Sequence, residues 1–387
     1  MIPYGKQEIT QQDIDAVVDV LKSDFLTQGP QVPLFEQSIK FAVDAEHALA
    51  VNSATSALHI ACLALGVGPD DVVWTTPTTF VASANCALYC GAEIDFVDID
   101  PITYNLSVSL LEEKLRHAKA NGLKLPKVLI PVHLCGQACD MESINRLSKE
   151  YGFKVSEDAS HAIGGRYLEQ PIGACEYSDI TVFSFHPVKI VTTAEGGAAL
   201  TNSKALADKM ALYRSHGITR DEALMENASH GGWYYEQIDL GFNYRMTELQ
   251  AALGVSQMSR LSEFVSARHQ LAARYYEKLA ELPITLPYQL PNTYSGLHLY
   301  VIRLNLSEIS KTHKEVFDAL REQGIGVNLH YIPVHLQPYY QKMGFKQGDF
   351  PNAENYYSNA ISLPMFHGMS YAQQDEVISK LSLILED

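Results

Sequence analysis

The sequence is short of positive charge, of regularly spaced cysteine and of long apolar runs. Against 45 aspartates and glutamates stand 29 lysines and arginines, a formal net charge of −16 over 387 residues. That balance leaves no basic excess to neutralise a phosphate backbone, so no nucleic acid is expected as partner. A local patch could still hold a small phosphorylated ligand. The six cysteines are scattered through the first half, and Cys135 and Cys139 lack a second pair to complete a zinc set. Buried thiols in a reducing compartment account for them better. No apolar run reaches the ~18 residues of a membrane span, and the opening MIPYGKQEITQQDID has no apolar signal region. A cytoplasmic protein with no membrane segment is expected. The pattern Gly-x-Gly-x-x-Gly is also missing, which counts against a nicotinamide or flavin Rossmann site.

What remains is ordinary globular material, 47% hydrophobic and 19% charged, long enough for one large and one small domain. Thr10-Gln-Gln-Asp13 fits a capping box ahead of a helix, and Thr27-Gln28-Gly29-Pro30 breaks that helix. Strand-like runs at HALAVN, DVVWTT, EIDFVDI, KVLIPVHL, FKVSED and DITVFSF follow, several of them separated by helical stretches such as 107–120 and 141–151. Short, nearly continuous apolar strands between helices indicate an α/β fold with a mostly parallel sheet covered on both faces. From about residue 243 the texture changes. One long helical stretch is expected through 245–282, then a strand at LHLYVIRLN, a helix at KTHKEVFDALREQ and a strand at GIGVNLHYIPV. The reading is a large domain over 1–255 and a small C-terminal α/β domain over 256–387.

Two residues at strand ends carry chemistry. Asp158 lies in KVSEDASHA, and Lys189 closes DITVFSFHPVK in an apolar setting. A carboxylate that can hold a protonated ring nitrogen and a lysine that can form an imine are what pyridoxal phosphate chemistry requires. Taken singly, Asp158 is equally a helix cap and Lys189 a lysine reaching out from a strand end. Ser53-Ala54-Thr55-Ser56 opens a predicted helix, either as a plain cap or as a phosphate cradle of N–H groups and hydroxyls. Ser184 could add a hydroxyl, His161 could donate to the cofactor's phenolic oxygen, and Phe80 could stack on its ring; the last two are alternatively core residues. Together they occur in a workable order near the strand ends of one sheet.

The motifs NSATSALH, TTFVASANCALYCGAEIDFVDID, EDASHAIGG, FSFHPVK, EGG and LGFNYRMTELQAALG resemble the DegT/DnrJ/EryC1/StrS family of sugar aminotransferases over essentially the whole chain. The resemblance implies the fold type I architecture of pyridoxal-phosphate-dependent aminotransferases and a homodimer with shared active sites. It implies Lys189 as the imine-forming lysine, Asp158 on the pyridine nitrogen, His161 beside the phenolic oxygen and Phe80 on the ring. Ala54, Thr55, Ser56 and Ser184 would hold the phosphate, and Asn243 would reach the phosphate of the neighbouring subunit's cofactor. Tyr4, His330, Tyr331 and His335 would approach the sugar or nucleotide. Ala194 stands where members often carry glycine, so a small backbone adjustment is expected there. IPYGKQEI and SFHPVK look most like the branch acting in pseudaminic acid biosynthesis. That branch implies a UDP-linked 2-acetamido-2,6-dideoxy-4-ketohexose as acceptor and glutamate as amino donor. Another nucleotide ketosugar is the first alternative. The family's dehydratases carry histidine in place of Lys189, and a non-catalytic regulator would be expected to add a basic DNA-binding segment.

Overall fold

The computed structural model describes residues 1–386. Seven strands form the central sheet: β1 (His47–Val51), β2 (Val72–Thr75), β3 (Glu93–Phe96), β4 (Val128–Ile130), β5 (Lys154–Asp158), β6 (Ile180–Ser184) and β7 (Gly197–Thr201). Their order is β1-β7-β6-β5-β4-β2-β3, and β7 alone runs antiparallel to its neighbours. Almost every residue of these strands is buried because both faces are covered. On one face Leu49, Val73, Ile130, Val182 and Ala199 pack against helices α3 (Ala54–Ala64), α4 (Ala82–Tyr89) and α7 (Lys204–Arg214). The alternate residues Ala50, Trp74, Leu129, Val155 and Phe183 meet α2 (Gln31–Val43), α5 (Val108–Ala120), α6 (Met141–Tyr151) and α8 (Glu248–Met258).

The capping box forms at α1 (Gln11–Lys22), with Asp13 accepting from the Thr10 N–H at 2.8 Å. The expected single helix after residue 243 is two, α8 and α9 (Leu261–Lys278), broken at Ser259–Arg260. Arg260 leaves the helical path to pair with buried Asp13, Nη2 lying 2.6 and 2.9 Å from its two oxygens. Within α9 the packing changes over: Phe264 and Val265 belong to the sheet's core, Leu271 and Tyr275 to a second one. That second core lies under a three-stranded antiparallel sheet, Ile284–Thr285, Tyr300–Leu304 and Ala360–Leu363, with α10 (His313–Glu322) and the helix Tyr371–Glu386. The GIGVNLHYIPV stretch is a strand only at Ile325–Gly326, which pairs in parallel with Ile2–Pro3; beyond it the backbone turns irregular. Among the described residues no helix is long and apolar enough to cross a membrane, and all six cysteines are free thiols.

Candidate active site

Several chain segments meet at the carboxyl edge of the sheet, where open α/β sheets place their ligands. β5 ends on Asp158 and β6 on Ser184, β1 runs into Ser53 ahead of α3, and the turn after β2 delivers Thr79 and Phe80. They enclose a cavity of about 540 Å³ whose wall also holds Lys189, His161, Tyr4, His330 and Tyr331. Asp158 is fixed by two donors: the Ser83 hydroxyl reaches Oδ2 at 2.6 Å, and the Ser160 N–H reaches Oδ1 at 3.1 Å. Behind the strand, Glu157 points to the opposite face and takes His133 Nε2 at 2.6 Å and Thr181 Oγ1 at 3.0 Å. This buried set anchors β5 from below.

Lys189 follows a tight turn, its N–H bonded to the His186 carbonyl at 2.9 Å. The side chain is half-buried in the cavity wall, and burial pushes its ammonium down to about 8, against the opposing pull of Asp158 and Cys135. His161, His298 and His330 surround it, each held below the ordinary histidine range by burial first and by Lys189 next. These three rings therefore add no positive charge. His161 has a defined tautomer. The Cys135 N–H donates to Nδ1 at 3.2 Å, so the proton of the neutral ring sits on Nε2 and donates to the Tyr331 hydroxyl at 3.1 Å.

At the start of α3, Ser53 Oγ takes the Ser56 N–H at 3.1 Å, while the N–H groups of Ala54 and Thr55 have no partner among the described residues. Gly197 lets β7 approach this helix end, since a Cβ there would lie 2.5 Å from the Ala54 nitrogen. Free N–H groups, nearby hydroxyls and the helix dipole make an anion site. These residues fit pyridoxal phosphate: an anion cradle for its phosphate, a carboxylate for its ring nitrogen, and a lysine able to be neutral for its aldehyde.

The structure brings Lys189, Asp158, His161, Phe80, Ala54, Thr55, Ser184, Tyr4, His330 and Tyr331 to one cavity. Phe80 is exposed, its ring 6.2 Å from that of Tyr331. Ser56 sits behind the cavity wall, its hydroxyl donated to Asn52 Oδ1 at 2.7 Å. His335 does not reach the cavity. Its ring is fully buried, bonded through Nε2 to Glu354 at 2.9 Å and packed edge-on against Phe350. Asn243 is exposed and outside this chain's own cavity, on a segment laid along the end of α7 by Phe242 N–H to Tyr213 O at 2.7 Å. Ala194 has a left-handed backbone with φ of 65° and carries strain that glycine would avoid. Sequence reasoning missed Ser160, His298, Asn328 and Glu195 in the wall, and Ser83 behind it. Ser160 lay inside a quoted motif, whereas nothing set His298 apart from a residue leading into a buried strand.

The DegT/DnrJ/EryC1/StrS aminotransferase family model matches residues 7–382. The spore coat polysaccharide biosynthesis protein SpsC of Bacillus subtilis is 38% identical, over 100% of this chain and 97% of its own length. The UDP-4-amino-4,6-dideoxy-N-acetyl-β-L-altrosamine transaminase of Campylobacter jejuni is 35% identical, over 100% of this chain and 98% of its own. Among solved structures, Helicobacter pylori PseC, an aminotransferase of pseudoaminic acid biosynthesis, superimposes with a TM-score of 0.91 at 30% identity, covering 100% of this chain and 99% of that one. With the lysine, the carboxylate and the anion cradle in one cavity, the chain belongs to the DegT/DnrJ/EryC1/StrS family of pyridoxal-phosphate-dependent sugar aminotransferases.

Proposed function

We propose that this enzyme moves an amino group from glutamate to C4 of a UDP-linked 2-acetamido-2,6-dideoxy-4-ketohexose, giving UDP-4-amino-4,6-dideoxy-N-acetyl-β-L-altrosamine. Amino transfer rests on one observation, the joint placement of Lys189 and Asp158 in a single cavity beside the α3 anion cradle. The acceptor rests on full-length similarity to the Campylobacter transaminase. Pyridoxal phosphate, when bound, supplies the electron sink for proton loss from the amino donor. Lys189, brought within reach of neutrality by burial, takes that proton and later delivers one to the sugar's C4. Asp158 would balance the positive ring nitrogen, and His161 would turn its Nε2–H from the Tyr331 hydroxyl to the phenolic oxygen. The Ala54 and Thr55 N–H groups, with Ser184, would hold the phosphate, and Phe80 would cover the ring. Tyr4, His330 and Tyr331 form the wall that faces the acceptor. In a homodimer, exposed Asn243 of one copy completes the phosphate site of the other.

Purified enzyme should be offered glutamate with UDP-, TDP- and GDP-linked 4-ketosugars, and the product identified by NMR. The expected result is ping-pong turnover, with the UDP-linked 2-acetamido sugar giving the highest kcat/KM and Lys189→Ala giving none. Higher kcat/KM with a TDP- or GDP-linked sugar would overturn the acceptor assignment. The similarity to SpsC, a protein of spore coat polysaccharide biosynthesis, favours a different nucleotide ketosugar as the second reading.

A further inference from the structure

Ser83 is the second residue of α4, fully buried, with its hydroxyl 2.6 Å from Asp158 Oδ2. A carboxylate accepts, so the serine proton is committed to Asp158. Thr79 Oγ1 lies 2.8 Å from the same serine oxygen. Because Ser83 has no second proton, Thr79 is the donor in that bond, and the chain is directed: Thr79 to Ser83 to Asp158. Its origin is at the site itself, since Thr79 lines the cavity. The base of the chain is also held. The Ser83 N–H bonds the Phe80 carbonyl at 3.2 Å, and its own carbonyl accepts the Cys86 thiol at 3.3 Å.

We propose that Ser83 is a positioning residue for Asp158. The Ser160 N–H holds Oδ1 and the Ser83 hydroxyl holds Oδ2, so the carboxylate plane is fixed from both oxygens. The remaining lone pairs are left for the ring nitrogen of pyridoxal phosphate. Ser160 follows Asp158 by two residues and restrains only the near oxygen. Ser83 is 75 residues away in sequence and ties the far oxygen to a different helix. Without it the carboxylate can rotate about its last bond and lose alignment with the ring. This rests on the function proposed above.

The test uses holoenzyme loaded with pyridoxal phosphate labelled with ¹⁵N in the ring, compared across wild type, Ser83→Ala, Ser83→Thr and Thr79→Val. Two quantities are read: the ring-nitrogen NMR resonance, and kcat separately from the sugar KM. In Ser83→Ala the resonance should move toward the unprotonated position, and kcat should fall about ten- to a hundredfold, the worth of one hydrogen bond to a charged group, with KM unchanged. Ser83→Thr should restore both, since it keeps the hydroxyl. Thr79→Val should move both in the same direction by less, and it carries the test if Ser83→Ala fails to fold. A loaded Ser83→Ala enzyme with wild-type resonance and kcat overturns this proposal alone, as does equal impairment of Ser83→Ala and Ser83→Thr. A wild-type chain that takes up no pyridoxal phosphate overturns the functional reading, and this proposal with it.

Discussion

Lys189 should titrate far below an ordinary lysine in the cofactor-free chain, and that difference can be measured on the residue itself. Its ammonium moves from 10.5 to about 8, with burial as the main cause and Asp158 opposing it. At pH 7 roughly one side chain in ten is then neutral, against about one in 3,000 for an unperturbed lysine. The gain in reactive amine is about 300-fold, or about 3 kcal/mol. Competitive labelling with acetic anhydride followed by peptide mapping reads the neutral amine directly. The Lys189 peptide should label with a midpoint near pH 8. Asp158→Asn removes a charge that favours the ammonium and should shift the midpoint further down. The same displacement has a sign in stability. Below about pH 8 folded and unfolded chains both carry the charge, and the folded state bears the full burial penalty. From there to 10.5 the unfolded chain binds the extra proton, so stability rises with pH through that window. A labelling midpoint at or above 10 would refute the reasoning, because it would mean that water reaches Lys189 as freely as a surface lysine.

Other expectations are local. Ala194→Gly should stabilise the fold by about 1 kcal/mol in denaturant titration, because Ala194 pays for a φ of 65° that glycine adopts freely. Gly197→Ala would press a methyl against the α3 backbone at 2.5 Å; it should destabilise by about 1–3 kcal/mol and weaken uptake of pyridoxal phosphate in equilibrium dialysis. Asp13→Ala would leave Arg260 without its buried partner and should cost about 3–5 kcal/mol in thermal or chemical unfolding. Burial alone would raise the Asp13 carboxyl, but donors from Ser256, Thr10 and Arg260 outweigh it and hold the carboxyl below 3.8. Its contribution is therefore present above pH 3.8 and lost as pH falls further, a loss that Asp13→Ala should abolish in an acid titration of stability.

The sheet and most of the cofactor side of the cavity were legible because their signals are local. β5 and β6 read as apolar runs ending in Asp158 and Ser184, and the cap before α3 was visible in Ser53-Ala54-Thr55-Ser56. Asn243 came only from the family resemblance, since its backbone bridge to Ser215 has no sequence mark. Ser83 escaped, although it lies inside a quoted motif, because its partner is 75 residues away in sequence. His335 was misplaced because HYIPVH reads as one unit. In the structure the Val334 N–H bonds the Pro77 carbonyl at 2.8 Å, and His335 joins Glu354 beneath the surface while Tyr331 stays in the cavity wall. The break between α8 and α9 depended on Asp13, more than 240 residues upstream, which no helical periodicity can report.

This difference in range separates the two halves of the site. The cofactor half is built from the ends of adjacent strands in one sheet, so a register error would misplace a whole apolar face along with the chemistry. The wall proposed to face the acceptor is built otherwise. Tyr4 is brought beside His330, ring centroids 5.2 Å apart, because Ile2 and Pro3 pair with Ile325 and Gly326 from the far end of the chain. His330 is held in turn by Ser362 at 2.8 Å, from a strand of the small sheet. None of these positions follows from a strand-end rule; each depends on how the second core closes on the first residues of the chain. A change in that closure would reshape the wall formed by Tyr4 and His330 while leaving Lys189 and Asp158 in place. In this chain the placement of Lys189 and Asp158 therefore depends on the sheet, and that of Tyr4 and His330 on the closure of the second core.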